Sequence, residues 1–149
     1  MKSIWFGISL LFLISCKPQP TAAIPADTSE LKGYLSQEVI SSLAHEADFI
    51  DFIFYHMDIS VSQNDPASIQ QTTGFLTTQG KPADMNCPAI GRLTILSKGK
   101  IIREADIHVQ GTNCAYFTVI ENKKPVGTCL ISPAGLKFFD SLISSYQPK

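Results

Sequence analysis

From Gly91 onward the apolar residues fall at every second position, and this change of period limits the folds open to the chain more than any other feature. Leu93 and Ile95 alternate with polar neighbours, Ser97-Lys98-Gly99 reads as a three-residue hairpin loop with Gly last, and Ile101 to Val109 forms a second strand. Pairing Leu96 with Lys100 sets Leu93 and Ile95 opposite Arg103 and Ile101, and Arg92 across from Glu104. That register gathers Ile101, Ala105, Ile107 and Val109 on one apolar face and leaves Ile102, Glu104, Asp106 and His108 on the other. A slip of one residue would mix the two faces. Gln110-Gly111-Thr112-Asn113 then turns the chain into a third strand, Cys114 to Glu121, and Asn122-Lys123-Lys124-Pro125 into a fourth, Val126 to Ile131. The expected product is a four-stranded antiparallel meander.

Upstream the period is helical. A Thr-Ser pair with Glu30 offers an N-cap near Ser29, and Leu31, Leu35, Val39, Leu43, Ala47, Ile50, Phe54 and Met57 recur at spacings of three and four. These predict one long N-terminal helix, its last turns apolar nearly all round because of Phe49, Phe52, Ile53 and Tyr55. His45 and His56 would lie on it about 16 Å apart along the axis, too far to share a metal. Asp58 to Ser62 loses the helical period, and Asn64-Asp65-Pro66 starts a short helix with Ile69, Thr72 or Thr73, and Leu76 inward. Residues 77 to 90 read as a loop punctuated by Gly80, Pro82 and Pro88 and tied by Cys87. Ser132-Pro133 opens a closing helix with a stripe of Leu136, Phe139, Leu142, Ile143 and Tyr146. The fold class is therefore α+β: a long helix, a short helix, the meander and a C-terminal helix, in one domain over residues 28–149.

The first residues follow a different logic. Lys2 precedes an eleven-residue apolar run from Ile4, which ends in Leu13-Ile14-Ser15-Cys16. This order of charge, apolar stretch and small residues is that of a secretory signal, and the run is far short of the roughly 20 residues a spanning helix needs. Leu13-Ile14-Ser15-Cys16 resembles the lipobox of bacterial lipoproteins, a likeness confined to residues 1 to 16. The resemblance implies cleavage before Cys16, diacylglycerol on its sulfur and acylation of the new amino terminus, hence a lipid anchor in the cell envelope. Lys17 stands where many enterobacterial lipoproteins retained at the inner membrane carry Asp, which by that analogy favours the outer membrane. Residues 16–27, with three prolines and little apolar mass, then form the lipidated Cys and a semi-extended tether.

Once Lys2 is removed with the signal, eleven basic residues face thirteen acidic ones, a balance that implies no nucleic-acid partner. Residues 27–65 hold eight acids against Lys32 alone, while 66–149 hold nine basic residues against five acids, so the two halves are oppositely charged. In an exported chain disulfides persist. Cys87 just before the first strand and Cys114 just after the second flank the same open hairpin end and are expected to bridge; Cys129, opposite Thr118 and about 13 Å from Cys114, is expected to remain a free buried thiol.

Glu104, Asp106 and His108 project from one strand face, and Asp106 with His108 is the one pair that could serve acid–base or metal chemistry, against the plainer role of a solvated face with Glu104 occupied by Arg92. No Cys-x-x-Cys, phosphate loop, nucleophile elbow or paired-histidine motif occurs, and no cofactor is expected. If Phe117 and Val119 join the main core, Ile102, Tyr116, Ile120 and Ile131 collect on the second sheet face, which the closing helix is expected to cover. The functional expectation is a non-enzymatic envelope lipoprotein, attached to the membrane by its lipid, that binds a protein or small ligand. The alternatives are an inhibitor or immunity-like lipoprotein presenting the 77–90 loop, and a small hydrolase or metal-dependent enzyme using Asp106 and His108.

Overall fold

The computed structural model describes residues 35–78, 86–111 and 113–146. The expected N-cap at Ser29, the signal, Cys16 and the tether lie outside them, as do residues 79–85 of the expected loop. In chain order the elements are α1 (Gln37–Glu46), β1 (Phe49–Phe54), β2 (Ser60–Gln63), α2 (Pro66–Thr73), β3 (Gly91–Ser97), β4 (Lys100–Gln110), β5 (Cys114–Glu121), β6 (Lys124–Leu130) and α3 (Pro133–Ser145). The strands form one six-stranded antiparallel sheet in the order β2-β1-β3-β4-β5-β6. The class is α+β, but the four-stranded meander and the long N-terminal helix are both corrected.

The long helix fails where its stripe widened. Ser36 caps α1, its hydroxyl accepting from the Val39 N–H at 3.3 Å, and the helix stops at Glu46. Phe-Ile-Asp-Phe-Ile-Phe then runs as β1, with Ile50, Phe52 and Phe54 buried and Asp51 and Ile53 turned to the other side. The same residues satisfy spacings of three and four only because aromatic and β-branched side chains stand on both sides of the strand. His45 lies in the last turn of α1 and His56 follows β1, so they share no helix. The extended stretch near Ser60 becomes β2 and pairs with β1 as a hairpin, Ile53 opposite Ser60 and Ile50 opposite Gln63.

The short helix follows its caps. Asp65 accepts the Ser68 N–H at 2.9 Å, Pro66 occupies the first turn, and Ile69, Thr72 and Thr73 are buried. Leu76, expected inward, is buried beyond the helix and bridges Ile131.

Two registers also shift. The β3–β4 connection is a two-residue turn, Lys98-Gly99, both at positive φ, and a bulge between Ile95 and Leu96 pairs Leu93 with Ala105 and Arg92 with Asp106, not Glu104. Ile101 is thereby left exposed, while Ile102 packs against the core. Asn122-Lys123, also at positive φ, forms the β5–β6 turn, and a shift between Val119 and Ile120 sets Cys129 opposite Phe117, not Thr118.

The core lies on one side of the sheet. Ile40 and Leu43 of α1, Ile69 of α2 and Phe139 of α3 join Ile50, Phe52, Phe54, Leu93, Ile95, Ala105, Ile107, Phe117 and Val119 in a single buried cluster. Phe139 is at its centre, its ring 5.9–6.4 Å from those of Phe52, Phe54, Phe75 and Phe117 in edge-on geometry. Gly91 lets β3 approach β1 closely, since a Cβ there would stand 2.5 Å from the Ile53 carbonyl oxygen. The closing helix therefore covers the face that holds Phe117 and Val119, not the second face, and Ile131 and Ile102 pack with the main cluster.

Candidate functional site: the open face of the sheet

Strand alternation builds the second face from residues of opposite parity to the core. One row crosses all six strands: Ser60, Ile53, Arg92, Asp106, Thr118 and Thr128. Beside it run Asp51, Thr94, Glu104 and Ile120 on one flank and His108, Tyr116 and Leu130 on the other. Phe49, Leu96 and Ile101 form a fourth, apolar row at the end of the sheet that carries the β3–β4 and β5–β6 turns. None of the helical core residues belongs to this side, but Tyr116, Ile120 and Thr128 are buried on it, Tyr116 in a small second cluster with Cys87 and Cys114, so the open part of the face lies toward β1, around Ile53 and Tyr55.

At its centre Asp106 is fixed by two neighbours. Arg92 donates to its Oδ1 from Nε at 2.9 Å and from Nη2 at 2.8 Å, and the Tyr55 hydroxyl donates to the same oxygen at 3.1 Å. Glu104 lies 3.8 Å from Arg92 Nη1, so the cation expected to face Glu104 chiefly serves Asp106. Partial burial and the neighbouring Asp106 carboxylate push the Tyr55 phenol above its ordinary range, which keeps it a neutral donor. Ile53, 51% exposed, and Tyr55, 46% exposed, flank this group as apolar surface. The alternation Asp51, Ile53, Tyr55 is the sequence signal for them, masked by the helical spacing of the residues between.

His108 is held apart from Asp106. Its Nδ1 meets the Cys87 carbonyl at 2.8 Å and so donates, leaving Nε2 to accept from the Thr118 hydroxyl at 3.1 Å. The imidazole stacks on Tyr116 with centroids 4.4 Å apart and planes at 11°, and burial holds its pKa below the usual value. Both ring nitrogens are thus engaged, Nδ1 with the chain at Cys87 and Nε2 with Thr118 of β5. Among the described residues no three His, Cys, Asp or Glu side chains gather as metal ligands.

The Cys87–Cys114 disulfide is present, with a Cα–Cα separation of 6.0 Å, and packs with Tyr116 and Leu130. It forms where the chain before β3 continues alongside β4, Ile90 N–H bonding the Ile107 carbonyl, so that Cys87 arrives beside the start of β5. Cys129 is an unbridged thiol, 2% exposed, with its pKa pushed up to about 12 by burial.

A cleft of about 470 Å³ opens at the turn end of the sheet, lined in part by Ile101, Glu104, Ile120 and Lys123. The β4–β5 ladder stops at Glu104 and Ile120 although both strands continue, and Arg103 and Glu121 form an ion pair across the gap. The face therefore combines exposed aliphatic and aromatic surface, a fixed Arg–Asp–Tyr cluster and an adjoining cleft, which suits recognition by contact. Comparison with protein-family models, curated proteins and solved structures yields no match to this chain.

Proposed function

We propose that the chain is a lipid-anchored protein of the bacterial cell envelope, held through Cys16 with the outer membrane favoured, and that it binds a protein or small envelope ligand on the open sheet face. The observation that carries the binding reading is the placement of the three helices of the described residues on one side, leaving Ile53 and Tyr55 exposed around the Arg92–Asp106 pair. Exposed apolar residues grouped on one face beside fixed polar groups are what interaction surfaces present. A role for Asp106 and His108 in catalysis receives no such support, because Arg92 and Tyr55 hold the first while Cys87 and Thr118 hold the second.

Two measurements test this. An intact-mass spectrum of protein taken from membranes should show a di- or triacylated terminus at Cys16; an unlipidated chain that begins at Met1 would refute the anchor. A photo-crosslinking residue placed at Ile53 in the envelope should trap a discrete adduct that the same probe on exposed Gln70 of α2 does not. Equal or absent trapping at both positions would refute the binding face.

A further inference from the structure

The β3–β4 and β5–β6 turns lie at the same end of the sheet, because β3 and β5 are both antiparallel to β4. Between them they carry Lys98, Lys100, Lys123 and Lys124, all exposed, with Ile101 in their midst at 57% exposure. Of the nearby acids, Glu121 pairs with Arg103 and Glu104 faces Arg92, and the Asp48 carboxylate, a single charge that accepts the backbone N–H of Lys98 at 2.6 Å, leaves the four lysines in excess. Ion pairs among the described residues involve Arg92 and Arg103, and none of the four tip lysines.

We propose that this double-hairpin tip docks on an anionic lipid surface, the lysines against headgroup phosphates and Ile101 in the apolar boundary beneath them. Lysine is a compact charge on a flexible stem, suited to a fluid array of phosphates with no fixed geometry, whereas Arg forks suit shaped anions. An exposed Ile101, continued by Leu96 and Phe49 in the same row and flanked by lysines, matches the interface of headgroup and acyl chain. The proposal goes beyond the open-face reading and does not depend on the anchor at Cys16, since the tip would contact lipid whatever holds the chain there.

The test is amide hydrogen exchange on the full chain mixed with vesicles of phosphatidylcholine alone, or of phosphatidylcholine with about one third phosphatidylglycerol. Exchange at residues 98–101 and 122–124 should slow by at least about fivefold on the anionic vesicles, the effect of roughly one lysine's attraction to such a surface, and recover in high salt. The double variant Lys98→Asn with Lys123→Asn should abolish the slowing. Both positions have positive φ, 52° and 64°, which Asn tolerates, so the turns are kept, and unchanged protection within β4 certifies the fold. Equal slowing on both vesicle types, no slowing on either, or slowing that survives the double variant overturns the proposal. Because the readout is local to the tip, its failure leaves the crosslinking result at Ile53 and the mass of the anchor to stand or fall separately.

Discussion

His108 is a side chain whose charge state the fold has chosen. Its Nδ1–H is committed to the Cys87 carbonyl and its Nε2 to the Thr118 hydroxyl, so protonation would force that hydroxyl to turn from donor to acceptor and would place a charge in a partly desolvated site. With the folded-state pKa lowered by burial, the unfolded chain binds the proton more readily, and stability falls as pH drops through the unfolded value near 6.5. The urea midpoint should therefore decrease between about pH 7.5 and about pH 5, and His108→Gln, which keeps a donor for Cys87, should flatten that decrease. An identical pH slope in the variant would show that His108 does not carry the effect.

At the scale of elements, the disulfide and the hairpins divide the work of holding the sheet. Cys87 and Cys114 are 27 residues apart, and closing a loop of that length stabilises by about 3 to 4 kcal/mol on the chain-entropy model. The bridge fastens the chain before β3 to the start of β5 across β4, and His108 adds a second tie at the same residue, through the Cys87 carbonyl. Replacing both cysteines with Ser should lower stability by about 2 to 5 kcal/mol in a denaturant melt and speed amide exchange at residues 86–90 more than within β4. A loss below about 1 kcal/mol would mean that the ladders alone fix this end of the sheet.

For the whole molecule, one cluster under a single sheet face joins all three helices to the central strands, so no part of the described fold has a separate large core on which to remain folded. Cys129, buried in β6 with its thiol pKa raised to about 12, reports on that cluster. Its labelling by a thiol reagent in urea should follow the loss of far-UV circular dichroism through one transition; labelling that precedes it would reveal β6 and α3 opening as a separate unit. Local chemistry in the sequence was enough for several features: the strands from Gly91 onward, the capped starts of α2 and α3, and the proximity of Cys87 to Cys114 follow from alternation, from Asp65-Pro66 and Ser132-Pro133, and from hairpin connectivity. Two bulges and two turns with positive φ moved the registers, because a one-residue change in loop length is nearly invisible in an apolar pattern yet resets every cross-strand pair. Phe49 to Phe54 carried two periods at once, and which one prevailed was decided by contacts distant in sequence, β3 alongside and Phe139 above. The site shows the same division: the sequence by itself determined that Asp106 and His108 share a strand face, whereas only the tertiary structure decided that Tyr55 and Arg92 meet Asp106, that Cys87 and Thr118 take His108, and that the helices leave that face open, since pairing between strands and the side on which a helix lands are set by packing across the chain and not by any local stretch of it.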